Sequence, residues 1–437
     1  MINSLAQLSD FFDSYAPSFS DSHLRERRLE RMERLLDRLG HPEQSYRTYH
    51  IAGSKGKGST AAFLAALLEG AGRVTGLYTS PHFYTLSERF KLSSSFFPLD
   101  FYLEVADQLR SALKGFFLPE PLGVAVPTTF ELYTAYGYLL FKEYGCSDAV
   151  IETGIGGRLD ATNTLHPEAV LLTPIELEHT QVLGSDIPAI AGEKARIMRK
   201  GVPSFVSIQS DSRASDVFRE EARLLGAPVF FLEDEMKGFQ YSKGSFSCSI
   251  RGKSYSLSLS MPTRRMAENA ALALLAGDSL SLVSRKGLSL MEEASLAGRF
   301  EQLEVDGHAV IVDAAHTVRS VTSSRDAFLE RGPVSPGLVF AAVEGKDIEG
   351  MLSALLPSFE TVVISSAGSF KKNDPEAVYR LCRKMFPEKR VYLEKDPDKA
   401  LDLALSSSGD ILVTGSFYLA PEMGKIRRAH ELELERA

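Results

Sequence analysis

The amino-acid sequence predicts an α/β fold with two domains, each built on a parallel sheet. Short apolar segments typical of buried strands alternate along most of the chain with longer segments typical of helices. This alternation is the pattern of parallel sheets that carry helices on both faces. A new strand–helix series starts near Ala294–Gly298 of the 437 residues. We therefore predict an N-terminal domain at 1–295 and a smaller, Rossmann-like domain at 296–437.

The composition excludes several classes of protein. Hydrophobic residues make up 44% of the chain and charged residues 24%, which is typical of a globular protein and not of a disordered one. The 49 Lys and Arg residues against 57 Asp and Glu residues give a net charge of −8. A nucleic-acid binder usually has a basic excess instead. We therefore expect small-molecule substrates and no nucleic acid.

Targeting signals are not evident in the sequence. No apolar run approaches the roughly 18 residues of a membrane span, and segment 1–16 lacks the basic start and apolar core of a secretory signal. Cys146, Cys248 and Cys382 lie too far apart for a CxxC metal site and are expected to be buried or neutral thiols. We therefore expect a cytoplasmic protein without membrane association, and a monomer.

The first long periodic segment, 22–40, predicts an amphipathic helix that ends at Gly40. Its arginines alternate with glutamates, and we expect this mixture to form a solvated face. The apolar face consists of Met32, Leu35, Leu36 and Leu39.

The remaining elements follow in the order expected for βα units. Residues 238–260 alternate polar and apolar with Gly at the turns, which predicts antiparallel hairpins. Strands are predicted at 46–53, 148–152, 169–173, 202–207, 309–313, 337–343, 361–366, 390–394 and 410–415. Helices are predicted at 61–72, 128–145, 187–201, 211–226 and 266–282.

The segment GSKGKGST, 53–60, lies between a predicted strand and a predicted helix, where a phosphate-binding loop has to lie. Its glycines allow tight turns that bring backbone N–H groups close to an anion. Lys57 can neutralise phosphate charge, while Ser59 and Thr60 can donate to phosphate oxygens or hold a metal ion. A Gly/Ser-rich surface loop is the alternative. The strand–loop–helix setting favours a P-loop ATPase type for this domain; the glycines are Gly53, Gly56 and Gly58.

Two of the carboxylates that end predicted strands are candidates for a ligand site. Glu152 ends the strand 148–152, and Asp313 ends the strand 309–313. The carboxyl end of a parallel strand faces the crevice where α/β sheets bind their ligands. We therefore expect Glu152 to hold a metal ion, with a helix cap as the alternative, and Asp313 to face a ligand.

Longer motifs resemble those of the folylpolyglutamate synthase/dihydrofolate synthase group of the Mur ligase superfamily. The segment IETGIGGRLDATN, 151–163, is similar to the family pattern E-x-G-[LI]-G-G-R-L-D-A-T-N, and HIAGSKGKGST resembles H-V-A-G-T-N-G-K-G-S. The resemblance runs from about residue 24 to 422. Its other motifs are YTSPHF with SER, PTTFEL, ELEHTQVLG, AGEKARIMRKG, GRFE, VDAAH and ILVTGSFYLA.

The chain departs from the family pattern at several positions but keeps the metal and phosphate residues. The departures are Ser54-Lys55 for Thr-Asn, Arg265-Met266 for His-Gln, Ala314 and Thr317 within D-G-A-H-N, and Gly345-Lys346-Asp347 for D-K-D.

The resemblance implies an ATP-dependent acid–amino-acid ligase. ATP would phosphorylate the carboxylate of a folate, of dihydropteroate or of both, and the amine of L-glutamate would attack the acyl phosphate. Lys57, Lys194 and His179 would be catalytic. Two Mg²⁺ ions would be held by Ser80, Glu152, His179 and carbamylated Lys194. Asn269, Arg299, Asp313 and His316 would join the phosphate loop in binding ATP. The folate or dihydropteroate would contact Thr128, Thr129, Phe130, Glu131, Leu159, Asp160 and Ala161.

Lys194 falls on the apolar face of the predicted helix 187–201. Burial disfavours an ammonium group and lowers its pKa, and a neutral amine can react with CO₂ to form a carbamate. The family carries a carbamylated lysine in its E-K-A-G motif, which resembles Glu193-Lys194-Ala195 here. An anionic carbamate could hold the second Mg²⁺. A lysine whose ammonium reaches solvent is the alternative.

Three other interpretations compete with the folate ligase. A peptidoglycan-type Mur ligase usually has an N-terminal domain for its UDP-linked substrate, but only 45 residues precede the strand that leads into the phosphate loop here. A P-loop kinase or GTPase would not require the second α/β domain or the GGRLDATN segment. A nucleotide-binding relative without catalytic activity would not explain the joint presence of Lys57, Glu152, His179 and Lys194.

Overall fold

The computed structural model describes residues 2–15, 25–118, 126–369 and 371–436, and it comprises two compact units. Residues 22–24 of the first predicted helix therefore lie outside the described residues. The first unit contains the chain up to Gln240 together with Ser247–Leu257 and Glu268–Ala294. The second contains Tyr241–Phe246, Ser258–Ala267 and the chain from Ser295 onward.

The first unit is built on a seven-stranded sheet with the order β3-β2-β4-β1-β5-β6-β7. All neighbours pair in parallel except β3, which is antiparallel to β2. The predicted parallel sheet is confirmed, although the short strands β2, β3 and β7 were not predicted. The strands are β1 (Arg47–Ala52), β2 (Thr75–Tyr78), β3 (Phe90–Leu92), β4 (Asp148–Glu152), β5 (Ala169–Leu172), β6 (Ser204–Val206) and β7 (Val229–Phe231).

Local signals in the sequence set the helix ends in this part of the chain. Gly40 adopts a left-handed φ of 69° and ends the second helix, as predicted. The helix predicted at 187–201 ends at Ala195, so Ile197 and Met198 are buried beyond it and not on its face. The helices are α1 (Leu5–Asp13), α2 (Arg28–Leu39), α3 (Lys57–Gly70), α4 (Leu99–Ala112), α5 (Thr129–Tyr144), α6 (Thr180–Leu183), α7 (Ile187–Ala195), α8 (Ser212–Leu225), α9 (Leu232–Glu235), α10 (Arg264–Ser279) and α11 (Arg285–Glu293).

A small sheet follows with the order β10-β9-β8. Turns of two residues join consecutive strands, at Lys243-Gly244 and at Arg251-Gly252, which matches the predicted hairpins. The strands are β8 (Met236–Ser242), β9 (Ser245–Ile250) and β10 (Lys253–Ser258).

The second unit contains a six-stranded sheet with the order β11-β12-β16-β13-β14-β15. The five predicted strands pair in parallel, and β11 adds an antiparallel edge that the sequence did not predict. The strands are β11 (Glu301–Val305), β12 (His308–Val312), β13 (Gly337–Phe340), β14 (Thr361–Ile364), β15 (Arg390–Leu393) and β16 (Ile411–Thr414). The helices are α12 (Val318–Glu330), α13 (Ile348–Leu355), α14 (Pro375–Met385), α15 (Pro397–Ser407) and α16 (Gly424–Arg436).

The predicted solvated face of α2 is wrong for Arg31. This residue is 1% exposed, and its Nη2 lies 2.7 Å from Oε1 of Glu131, which is fully buried in α5. The Nε atom of Arg31 donates to the same oxygen at 3.0 Å. The sequence did not predict this pair, because Arg31 belongs to an alternation of arginines and glutamates with exposed members such as Arg27 and Glu30. The pair joins α2 to the start of α5.

The described helices give no indication of a membrane span, because none of them combines sufficient length with sufficient apolar character.

We predict that Arg31→Met lowers the free energy of unfolding by about 3–5 kcal/mol, because it leaves the buried carboxylate of Glu131 without its cation. The matched control is Arg27→Met, which removes an exposed ion pair of the same segment at 2.9 Å. That change is expected to cost about 0.5 kcal/mol or less. Urea unfolding measures both, and equal losses in the two variants would contradict the structural role of Arg31.

Candidate active site

Three neighbouring strands of the first sheet end at the same edge. In the order β4-β1-β5 they run parallel, so the loops that follow Glu152, Ala52 and Leu172 leave the sheet side by side. Backbone bonds continue this register past the strands, because Thr153 N donates to Ile51 O at 2.9 Å and Thr173 N donates to Ala52 O at 2.8 Å. The carboxyl edge of a parallel sheet is the usual position of a ligand site.

The phosphate loop follows β1 and leads into α3, as predicted. Gly53 has a φ of 152°, and a Cβ atom there would lie 1.8 Å from Oγ1 of Thr173, so only glycine fits. Ser54 N donates to Pro174 O at 2.9 Å, which binds the loop to the segment after β5. The helix begins at Lys57, so its first backbone N–H groups point into the loop. This geometry suits a bound phosphate.

Side chains at the start of α3 support the same interpretation. The Lys57 Nζ atom lies 3.8 Å from Oε1 of Glu152 at the end of β4. Ser59 and Thr60 are buried in the first turn. Within the described residues, Thr60 Oγ1 is buried without a hydrogen-bond partner. Such an oxygen is available to a phosphate or to the water shell of a cation.

Asn269 packs against the phosphate loop from α10. Gly56 has a φ of 87°, and an added Cβ atom would lie 2.5 Å from Oδ1 of Asn269. The absence of a side chain at Gly56 therefore lets the amide of Asn269 approach the loop that precedes α3.

Lys194 is buried in α7, as predicted, with 1% of its surface exposed. Its Nζ atom donates to Gly53 O at 2.7 Å and to Oε1 of Glu178 at 3.0 Å. Burial, followed by the charge of Lys57, lowers the Lys194 pKa from 10.5 to about 8. The ammonium therefore ties the phosphate loop to the segment after β5. The alternative of a lysine that reaches solvent is wrong for this conformation.

Glu178 was not singled out in the sequence, although it precedes His179 directly. Burial opposes its ionisation, but the charges of Lys194 and Lys57 outweigh that effect and hold the Glu178 pKa below its usual value. His179 itself is exposed, and its partial desolvation by neighbouring groups lowers its pKa. The His179 pKa is also affected by nearby charges. The charge of Glu178 raises it, while those of Lys194, Lys57 and Lys55 lower it. The predicted catalytic residues Lys57 and Lys194 thus lie at the phosphate loop, and His179 directly follows Glu178, the partner of Lys194.

The predicted metal residues Ser80 and Glu152 also lie together. Ser80 N donates to Oε2 of Glu152 at 3.0 Å, and this carboxylate is almost completely buried. Among the described residues, no cluster of three or more His, Cys, Asp or Glu side chains forms a metal site by itself. Mg²⁺ commonly uses one or two carboxylates together with substrate phosphates and water. The buried carboxylate of Glu152, with Ser80 beside it, fits that requirement.

The loop after β4 is held by Asp160. Its carboxylate accepts hydrogen bonds from Gly154 N, Ile155 N and Thr162 N at 3.0–3.1 Å, and from Thr162 Oγ1 at 2.6 Å. The Thr162 hydroxyl also lies 2.8 Å from Nε2 of His50 in β1. Because the hydroxyl donates to Asp160, it accepts from His50. Asp160 therefore orders the glycine loop in the protein without substrate.

The residues predicted to contact the folate or dihydropteroate lie around this loop and the start of α5. Phe130 packs against Gly154, where an added Cβ atom would lie 2.3 Å from the ring. Thr128 caps α5, and Thr129 Oγ1 donates to Phe12 O at 3.1 Å. Glu131 pairs with Arg31. Leu159, Asp160 and Ala161 are buried. Substrate contact stays a prediction for all seven, and residues 123–125 of the adjoining loop lie outside the described residues.

Glu193 joins α7 to two arginines. Its carboxylate accepts from Arg158 Nε at 2.8 Å and from Arg25 Nη2 at 3.2 Å. The other terminal nitrogen of Arg25 donates to Val182 O in α6 at 2.7 Å. One guanidinium therefore connects the helix that follows His179 with the helix that carries Lys194.

A separate group of predicted nucleotide residues lies in the second unit. Asp313 follows β12, and its carboxylate accepts from Ala315 N at 2.9 Å and from Ser324 Oγ at 2.8 Å. Burial raises its pKa, although the Ser324 bond and the nearby Arg299 act in the opposite direction. His316 Nδ1 lies 2.8 Å from Ala314 O. Arg299, Asp313 and His316 thus share the carboxyl end of β12.

Comparison with known proteins identifies the family. Residues 51–277 match the Mur ligase middle domain, and residues 298–417 match the Mur ligase glutamate ligase domain. The dihydrofolate synthase/folylpolyglutamate synthase of Bacillus subtilis (strain 168) is 32% identical over 417 residues, with 91% of this chain and 94% of that protein covered. The chain belongs to this family of Mur ligases.

Further relatives of this ligase extend over nearly its whole length. The dihydrofolate synthetase of Saccharomyces cerevisiae is 27% identical over 429 residues, covering 92% of this chain and 98% of that protein. The structure of Mycobacterium tuberculosis folylpolyglutamate synthase complexed with ADP superposes with a TM-score of 0.83 at 26% identity, covering 98% of both chains. The predicted family, fold class and enzyme class, an ATP-dependent ligase, are thereby confirmed. The individual roles of the site residues stay predictions.

We predict that Gly56→Ala weakens ATP binding about tenfold or more, because the added Cβ displaces Asn269 and strains the loop. Gly115→Ala is the matched control, since Gly115 also has a left-handed φ, of 67°, but open space around its Cα. Both variants are expected to lose about 1–2 kcal/mol of folding stability. Calorimetric titration with ATP measures the affinity, and equal affinities in the two variants would remove Asn269 and Gly56 from the site.

Proposed function

We propose that this ligase adds L-glutamate to both dihydropteroate and reduced folates through an acyl phosphate, at the carboxyl edge of β4, β1 and β5. The observation that supports this most is the cluster of Lys57, Glu152 and Lys194 around the phosphate loop. Lysines neutralise the charge of a phosphoryl group in transfer, and a carboxylate holds the Mg²⁺ that bridges the phosphates. The bifunctional name of the Bacillus subtilis relative supports the use of both acceptors.

Each residue has a role that its surroundings support. Lys57 and the N–H groups at the start of α3 bind the ATP phosphates. Glu152 and Ser80 provide oxygen ligands for Mg²⁺, and neutral His179 provides a nitrogen ligand. Arg299 stabilises the charge of the terminal phosphate. Asp313 binds the ribose. The remaining residues proposed to bind ATP are Gly53, Gly56, Gly58, Ser59, Thr60, Asn269 and His316.

Lys194 carries the carbamate in this proposal. Burial lowers the Lys194 pKa to about 8, so at pH 7 a larger fraction of this lysine is neutral than of an ordinary lysine. The neutral amine attacks the carbon of CO₂, so that a C–N bond forms while one C=O π bond becomes C–O⁻, and one of the two N–H protons leaves to water. The carbamate nitrogen keeps one N–H for Gly53 O, and its carboxylate would be an anionic oxygen ligand for a second Mg²⁺.

The choice of acceptor is tested by ADP release with dihydropteroate and with tetrahydrofolate in separate reactions, each with and without L-glutamate. We expect release with either acceptor only when glutamate is present. Release with one acceptor alone would assign the enzyme to that single reaction. No release with either would reject the proposed substrates, provided that ATP binds.

We predict that Lys57→Ala abolishes turnover, because its ammonium neutralises phosphate charge. The variant should still fold, with an unfolding free energy lowered by about 1–3 kcal/mol, because the buried carboxylate of Glu152 loses its nearby cation. Lys200→Ala, at the exposed turn after α7, is the control and should leave ADP release unchanged. An ordinary rate of ADP release in Lys57→Ala would reject the assignment of the phosphate loop.

Activity should also depend on the carboxylate at Lys194. Lys194→Ala should lose turnover, and acetate should partly restore it by replacing the carbamate. In the wild type, activation by added bicarbonate should rise from pH 7 toward pH 8, because the amine loses its proton through the pKa of about 8. Full activity of Lys194→Ala without any carboxylate would exclude the carbamate.

We also propose that the enzyme acts as a monomer in the cytoplasm without nucleic-acid or membrane partners. Size-exclusion chromatography with light scattering measures the mass in solution, for which 48.0 kDa is expected. A mass near twice that value would contradict a monomer.

A further inference from the structure

We propose that Glu301 and His430 are positioning residues for Arg299. The proposal rests on the proposed function, which assigns Arg299 to the ATP phosphates. His430 lies in α16, beyond residue 417, where the match to the glutamate ligase domain ends. The proposed support for Arg299 therefore comes from a part of the chain that lies outside the match to the glutamate ligase domain.

Arg299 lies in a strained turn, and its Nη1 donates to Gly298 O at 3.4 Å. Gly298 and Phe300, which flank it, both have a left-handed φ, of 64° and 54°. A bulky residue such as phenylalanine adopts this backbone only when its surroundings hold it there. The Phe300 ring is 1% exposed and lies in the core of the second unit. The side chain of Arg299 is thus directed by a turn that would relax without external restraint.

Glu301 provides the restraint on one side of the turn. Its Oε2 atom accepts from Gly298 N at 2.9 Å. Its own backbone pairs with Val312 at the end of β12. Gly298 O accepts from Ala314 N at 2.9 Å, just after Asp313. The carboxylate of Glu301 therefore closes the turn over Arg299 and keeps it beside the end of β12.

His430 fixes the orientation of that carboxylate. Its Nδ1 atom lies 2.5 Å from Oε1 of Glu301, and because a carboxylate oxygen accepts, the imidazole nitrogen carries the hydrogen. The two side chains are only 9% and 10% exposed, so water competes little for the bond. With Oε1 held by His430, Oε2 stays on Gly298 N. Loss of His430 removes the hydrogen bond on Oε1 and so weakens the hold of Glu301 on the turn.

A simpler account is that the pair only anchors α16. That role would lower stability without a specific effect on Arg299. The two accounts predict different coupling between substitutions of His430 and of Arg299. A positioning residue has no further effect on binding once the group that it positions is removed.

The experiment is a double-mutant cycle of His430→Ala and Arg299→Ala. Calorimetry measures binding of the β,γ-methylene analogue of ATP with Mg²⁺, and urea unfolding measures stability. We expect Arg299→Ala to weaken binding about 10–100-fold and His430→Ala about 3–10-fold. In the Arg299→Ala background, His430→Ala should change binding less than about twofold. His430→Asn, which can place an N–H near the Nδ1 position, should restore most of the affinity.

His308→Ala is the matched control. Its Nδ1 atom contacts Gly409 O at 2.9 Å at the opposite end of β12, so the loss of this bond should not change nucleotide affinity. His430→Leu replaces the alanine variant if that variant does not fold, with the same criteria. Unchanged affinity in Arg299→Ala would reject the phosphate assignment itself. Two outcomes would overturn the positioning role while Arg299→Ala still binds weakly. In the first, His430→Ala weakens binding by the same factor with and without Arg299. In the second, His430→Ala does not change binding at all.

Discussion

The site depends on the contact between the Lys194 ammonium and the carbonyl of Gly53. This bond, at 2.7 Å, joins α7 to the first glycine of the phosphate loop, and the second bond of Lys194 reaches Glu178 after β5. Parallel strands bring their carboxyl ends to one edge, but they do not order the loops that follow. A buried cation with two acceptors does so, and it is the group whose charge a carbamate would reverse.

The electrostatics of the cluster fit the proposed binding of both phosphates and metal ions. Lys55, Lys57 and Lys194 all act on His179, while Glu152 and Glu178 are the carboxylates near them. In the cationic state of Lys194 the ammonium groups exceed the carboxylates, which suits an anion. In the proposed carbamate state the carboxylates outnumber the ammonium groups, which favours the divalent cations that accompany bound phosphates.

The sequence predicted the elements that carry strong patterns and missed those that depend on tertiary contacts. The segment 148–152 is apolar and buried, so β4 and its terminal Glu152 were predictable. The strands β2 and β11 were not predicted. Arg31 looked like its exposed neighbours, because only the fold brings Glu131 to it. Glu178 carried no signal of its own, since its partner Lys194 lies sixteen residues further along the chain.

A crystal structure with Mg²⁺ and the β,γ-methylene analogue of ATP tests the central claim most directly. The account predicts that phosphate oxygens accept hydrogen bonds from the N–H groups at the start of α3 and from Nζ of Lys57, with Mg²⁺ bound to Glu152. The account would be contradicted if the nucleotide phosphates bound in another pocket, while Lys57 stayed beside Glu152 without an ion between them.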